Sequence, residues 1–264
     1  MRSKDGNEVN AVTYKTPDYM LSSAQDYLPG EKGDREHIWQ ATLGPAAVVF
    51  VNHPACSMSR DPRRPNFWLG NRSLPRVAQW KDALIAIYKL PEDDWMGFTH
   101  AYFPAYAFDE YLLQDGWAFA RKGGGYLALT SSQGFKFVQE GHSAYRELRS
   151  HGRENVWLCQ MGRAARDGDF NNFKEKVLAS KKVFMGLQAQ YCSVRRDTLD
   201  FGWREPFYVN QVAQPLAGFK HYENLYCVTE LPCRQMEIHY GDYLLRLNFS
   251  DSPGGVSESS KSLS

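Results

Sequence analysis

A chain of 264 residues with 43% hydrophobic and 23% charged side chains has the make-up of a globular protein with room for a sizeable core. Its 31 basic and 30 acidic residues leave a net charge of +1, which excludes the basic footprint of a nucleic-acid binder. No apolar run approaches the roughly 20 residues of a membrane span, so neither nucleic acid nor a membrane is an expected partner.

Aromatic content is high, with seven Trp, fifteen Tyr and fifteen Phe. Such rings favour strands and can also supply stacking platforms. The five cysteines, Cys56, Cys159, Cys192, Cys227 and Cys233, form no CxxC pair, so neither a zinc ribbon nor a redox motif is indicated. Cys227 and Cys233 flank a short loop and could bridge, with two reduced thiols as the default. The first fifteen residues lack the apolar core of a signal peptide, and the compartment stays open.

In chain order, residues 1–12 read as disordered. REHIWQATLGPAAVVFVNHP (Arg35 to Pro54) contains a continuous apolar run, Ala47 to Val51, of buried-strand type. SRDPRRPN, with Arg60, Arg63 and Arg64, is a Pro-rich loop leading into FWLGN. Ala83 to Leu90 is a second apolar run, and Glu92, Asp93 and Asp94 follow as a polar, solvated loop. GFTHAYFP spans Gly97 to Pro104, and a short helix is expected around Ala107 to Leu113. Trp117 to Leu129 reads as a hairpin turning at Lys122 to Gly125, where glycines supply positive φ. Asn155 to Gly162 is another strand. Asp169 is placed to N-cap a helix carrying Phe170, Phe173, Val177 and Leu178 on one stripe. Short strand-like segments then lead to a second hairpin around Tyr240-Gly241-Asp242. The Ser/Gly-rich tail from Ser250 reads as disordered.

These elements predict an all-β dominated fold. It is an antiparallel β-sandwich over residues 13–249 with one or two short packing helices, between a disordered N-terminus (1–12) and a disordered tail (250–264).

The candidate site residues lie in three opening segments. His37, His53 and His100 are candidate proton carriers or metal ligands. Their spacing is no metal motif, so no cofactor is firmly implied, although a divalent metal such as zinc could be held if they converge. Trp39, Trp68 and Tyr102 are candidate stacking rings. Asn66, Asn71 and Gln40 could bond sugar hydroxyls or satisfy turn backbone. Arg64 and Arg76 could pair with a uronate carboxylate, because the guanidinium fork fits that group. The glycines at Lys122 to Gly125 lack the spacing of a phosphate loop, and neither GxSxG nor HExxH occurs. Rings flanked by amides and imidazoles suit a sugar surface, so a polysaccharide or oligosaccharide is the expected partner.

HIWQATLGPAAVVFVNHP, RPNFWLGN followed by LPRVAQWKDALIAIY, GFTHAYFP and WAFARKGGGYLAL together resemble the β-sandwich region of heparinase II/III-type polysaccharide lyases. The closing segment, LDFGWREPFYVN to MEIHYGDYLLRLNF, is similar to their C-terminal strands, and the likeness covers roughly residues 14 to 249. The resemblance implies β-elimination on a uronate-containing glycan, with His37, His53 or His100 as the sheet's contribution. In that family a helical toroid precedes the sandwich and carries much of the machinery, and no toroid is encoded here. The expectation is therefore the sheet domain of a carbohydrate-active enzyme, incomplete alone, which docks a helical toroid domain or forms a homo-oligomer. A non-catalytic carbohydrate-binding module and a structural or interaction sandwich are the alternatives.

Overall fold

The computed structural model describes residues 8–54, 61–230, 233–249 and 256–262, the last segment by its backbone. The chain divides into two compact units, Val9–Leu216 and a second that combines Met1–Glu8 with Ala217–Ser264.

The larger unit is antiparallel throughout its named sheets. A seven-stranded outer sheet contains β1 (Asn10–Lys15), β2 (Met20–Gln25), β3 (Trp39–Thr42), β4 (Val48–Asn52), β7 (Phe98–Tyr102), β12 (Glu147–His151) and β11 (Lys136–Phe137), in that spatial order. A six-stranded middle sheet has the order β5 (Arg76–Trp80), β6 (Ala83–Lys89), β13 (Glu154–Arg163), β10 (Gly125–Ser131), β9 (Trp117–Lys122), β8 (Glu110–Gln114). A third sheet of five strands runs from β14 (Lys182–Met185) through β15 (Gln188–Cys192), β16 (Thr198–Gly202) and β17 (Tyr208–Val209) to β18 (Val212–Ala213). The expected sandwich of strands with few short helices is what the chain forms, with this third sheet as an added layer.

The middle sheet explains the uninterrupted apolar runs. On β6, Leu84, Ala86 and Tyr88 enter the core shared with the outer sheet, while Ile85 and Ile87 enter a second core with the third sheet and the helix α2 (Phe170–Ala179). A strand buried on both faces has no polar side to alternate with, and each buried Leu or Ile contributes roughly 1.5–3 kcal/mol. Residues Val48 to Asn52 behave differently. Val49 and Val51 are buried in the core and Val48 and Phe50 are only half-buried on the other face, so this strand is one-sided despite its apolar sequence.

Several local signals act as their chemistry predicts. Asp169 accepts the Asn172 N–H at 2.8 Å and caps α2, which buries Phe170, Phe173 and Val177. The β9–β10 hairpin pairs Lys122 with Gly125 and turns through Gly123 at φ +55°. A Cβ at Gly125 would overlap the Asp18 carbonyl, so close approach, and not positive φ, selects glycine there.

Other expectations are corrected. Residues 110–114 form the edge strand β8 rather than a helix, preceded by a 3-10 turn at Ala105–Ala107. Ordered pairing begins earlier than residue 13, since β1 starts at Asn10. Arg60, Cys56 and residues 1–7, 250–255 and 263–264 lie outside the described residues. Within the expected tail, Val256–Ser262 pairs with the strand Tyr243–Phe249. That strand also pairs with Gln235–Tyr240 across Gly241, the second hairpin. The four described cysteines are free thiols.

Candidate functional site

Adjacent strands β4, β7 and β12 set out one side-chain array on the outer face of the seven-stranded sheet. On β7, Ala101 belongs to the core and Thr99 accepts the buried Trp157 indole N–H, so Phe98, His100 and Tyr102 point the other way. Register places Phe50 opposite Tyr102 and Asn52 opposite His100. It places Glu147 opposite Tyr102 and Arg149 opposite His100 on the far side.

The rings on this face form a connected cluster. Tyr102 stacks on Phe50, with centroids 5.4 Å apart and planes 20° apart, and His37 meets Phe50 edge-on at 4.6 Å. Trp68 comes from the 3-10 turn Pro65–Trp68 and stands nearly perpendicular to both Phe50 and Tyr102 at 6.1 and 5.2 Å. The same indole lies flat on His100 at 4.3 Å, and Phe67 from the same turn meets that imidazole edge-on at 4.6 Å. Tyr106, 68% exposed, shares a hydroxyl–hydroxyl hydrogen bond of 3.2 Å with Tyr102.

Electrostatics define the floor. Glu147 is fully buried. Burial alone would raise its pKa, but hydrogen bonds from His100 and Arg149 hold it down to about 2. Arg149 donates from Nε at 2.6 Å and from Nη2 at 3.2 Å. The ionised carboxylate only accepts, so the His100 nitrogen 3.1 Å from it, Nδ1, carries the ring proton and Nε2 keeps its lone pair. Burial pushes the His100 pKa below the usual histidine value, against the pull of Glu147. Burial, with the Tyr106 contact, pushes the Tyr102 hydroxyl up to about 12. His37 is an exposed residue, yet burial of its imidazole against the sheet lowers its pKa while Gln40 opposes the shift.

The structure thus brings together His37, His100, Trp68 and Tyr102, with Asn66 in the same turn as Trp68. It does not bring in the other candidates. Trp39 is a core residue, 2% exposed, and its indole N–H is donated to Tyr88 at 3.2 Å. Its position on β3 faces the middle sheet, which leaves no ring face for a sugar. Arg76 is held elsewhere, between Asp26 at 2.8 Å, the carbonyls of Gly202 and Glu205, and the Phe201 ring. It ties the middle sheet to the third sheet.

His53 is buried at the end of β4, and both its ring nitrogens meet oxygens. Nδ1 lies 2.9 Å from the Phe98 carbonyl and Nε2 lies 2.5 Å from Asp94. Asp94 is therefore a buried partner rather than a solvated loop residue, and it also accepts the N–H groups of Met96 and Gly97. Asn71 is buried as well, accepting the His53 N–H and donating to the Glu36 carbonyl. Gln40 bonds Thr42, and Arg64 lies 3.8 Å from Asp61. Among the described residues no three His, Cys, Asp or Glu side chains converge as metal ligands.

Sequence reasoning passed over Phe50, Asn52, Glu147 and Arg149. Phe50 was concealed in an apolar run that looked two-sided. Glu147 and Arg149 flank apolar Leu148 in the polar–apolar order of a one-sided strand, but Glu147 is buried all the same, and their meeting with His100 needs the β7–β12 pairing.

No family model matches the chain, no curated protein matches it, and no solved structure matches its fold. Among the described residues no helix is long and apolar enough to cross a membrane.

Proposed function

We propose that the outer face of the seven-stranded sheet is the sheet-side half of a carbohydrate site, taking a uronate-containing oligosaccharide as the β-sandwich part of a polysaccharide-lyase-like, carbohydrate-active protein. The observation that carries this reading is the ring cluster of Trp68, Tyr102, Phe50 and His37, bordered by the partly exposed guanidinium of Arg149. Rings of this kind stack on the apolar faces of sugars, and the Tyr102 and Tyr106 hydroxyls can exchange hydrogen bonds with sugar hydroxyls. Positive charge at the rim suits a uronate carboxylate. The resemblance to heparinase II/III-type sandwich regions points to the same substrate class.

The proton chemistry supports binding more than turnover by this chain. β-Elimination needs a base that reaches the sugar C–H. His100 has a free lone pair but lies under Trp68, with no exposed surface. Tyr102 is half-buried and holds its proton tightly at neutral pH. The reading therefore predicts that the chain binds uronate oligosaccharides and releases no unsaturated product, which product absorbance checks. By calorimetry, Tyr102→Ala and Trp68→Ala each weaken binding about tenfold, the value of one lost aromatic contact. Trp39→Phe, a core change, lowers the melting temperature without that selective loss. Unchanged affinity in both ring variants, or no binding to any uronate oligosaccharide, would sink the reading.

A further inference from the structure

We infer that the Pro65–Trp68 turn is a latch over a buried set of hydrogen-bond acceptors, and that this set receives hydroxyl donors of a sugar when the turn lifts. The inference rests on the carbohydrate reading of the same face and specifies how the ligand engages it.

Three acceptor atoms lie beneath or within this turn without a donor among the described residues: His100 Nε2, Asn52 Oδ1 and Asn66 Oδ1. His100 and Asn52 are 0% and 3% exposed. The other end of each of these two is already committed. His100 Nδ1 is spent on Glu147, and Asn52 Nδ2 donates to the Gly70 carbonyl at 3.2 Å, where the turn rejoins the sheet. Asn52 and His100 are register partners, so their free acceptors belong to one spot on the face. Buried acceptors left without donors are costly and mark a missing partner. The matching chemistry is a group that brings two or more O–H donors, as neighbouring hydroxyls of one sugar ring do. A bare cation would meet one imidazole nitrogen and two neutral amide oxygens, a set without the carboxylate or thiolate that divalent sites usually include.

The turn has few backbone ties to the sheet. From Asp61 to Leu69 its backbone hydrogen bonds among the described residues are internal: Arg64 N–H to Asp61, Phe67 N–H to Arg64 and Leu69 N–H to Asn66. Anchoring to the rest of the sheet resumes only at Gly70, and at Asn71, which bonds Gly33 through both backbone groups. What holds the turn down is ring contact, Trp68 flat on His100 and Phe67 edge-on. A sugar that replaces those contacts can supply both the ring stacking and the missing donors.

The test uses the full chain with ring-¹⁵N histidine and an oligoglucuronate tetrasaccharide as probe. His100 is assigned by its missing signal in His100→Gln. Saturating tetrasaccharide should move the His100 Nε2 resonance toward its hydrogen-bonded position and speed amide exchange at residues 64–69. Phe67→Leu loosens the latch but keeps Trp68, so exchange there should be fast without ligand and affinity should tighten about tenfold as the open fraction rises. Tetrasaccharide binding with no change at His100 or in exchange overturns the latch and leaves the carbohydrate reading standing. Failure of the tetrasaccharide and of every other uronate oligosaccharide to bind overturns both. A His100 shift produced by zinc alone, with no response to sugar, makes the acceptors a cation site and overturns the proposal.

Discussion

Glu147 has no exposed side-chain surface, yet the His100 and Arg149 hydrogen bonds keep it ionised. With a pKa of about 2, against an ordinary value of 4.5, it stabilises the fold fully above pH 4.5 and loses that contribution as pH falls toward 2. His100 acts in the same direction. Its lowered pKa means the unfolded chain takes up a proton below pH 6.5 that the folded ring resists. Stability should therefore fall from pH 7 to pH 3. Glu147→Gln should remove on the order of 3 kcal/mol at pH 7 and flatten the decline below pH 4.5, as guanidinium unfolding at several pH values would report. An equal decline in both proteins would place the acid sensitivity elsewhere. His100, Trp68 and Tyr102 could be singled out as candidates from their local words. Their partners could not, because Glu147 lies 47 positions from His100 and meets it only through strand pairing.

At the scale of elements, α2 shows how a legible helix depends on an illegible contact. Its cap and apolar stripe are readable in Asp169, Phe170, Phe173 and Val177. Its seat is not. Gly162 on β13 has no side chain where the Phe173 ring lies, and a Cβ there would overlap that ring. Gly162→Ala should lift the helix from the middle sheet and cost about 1–3 kcal/mol, the usual penalty for overpacking. Urea unfolding would measure it, and a neutral result would mean that Phe173 repacks freely. The strand around Phe50 makes the complementary point. An apolar sequence reads alike for a strand buried on two faces and for one that leaves a ring half-buried on its outer face, and only its neighbours separate the two.

Across the whole larger unit, one ion cluster joins all three sheets at a common end. Asp82, in the β5–β6 turn, has a side chain 1% exposed and pairs with Arg166 of the short helix α1 (Ala164–Asp167) and with Arg195, 2.8 Å away beyond β15. It also accepts the Tyr19 hydroxyl at 3.3 Å, and Arg195 reaches Tyr14 on β1. Asp82→Asn would leave two guanidinium groups, each 26% exposed, without their shared anion. The expected loss is about 2–4 kcal/mol, below the full cost of a completely buried pair because the arginines keep some water. Chemical denaturation would show it. A loss under about 1 kcal/mol would mean that the arginines simply turn to solvent.

The sequence by itself determined the strand-dominated architecture, both glycine hairpins, the capped helix and the aromatic words from which the site is drawn. These are local matters of backbone conformation and of whether a segment can hide its apolar side chains. Tertiary structure alone decided that the middle sheet is covered twice, that Trp39 and Arg76 serve packing, that Asp94 is buried against His53, and that Trp68 closes over His100. Those outcomes depend on which strand lies beside which and on what covers each face, and contacts between residues dozens of positions apart leave no periodicity in the chain that could announce them.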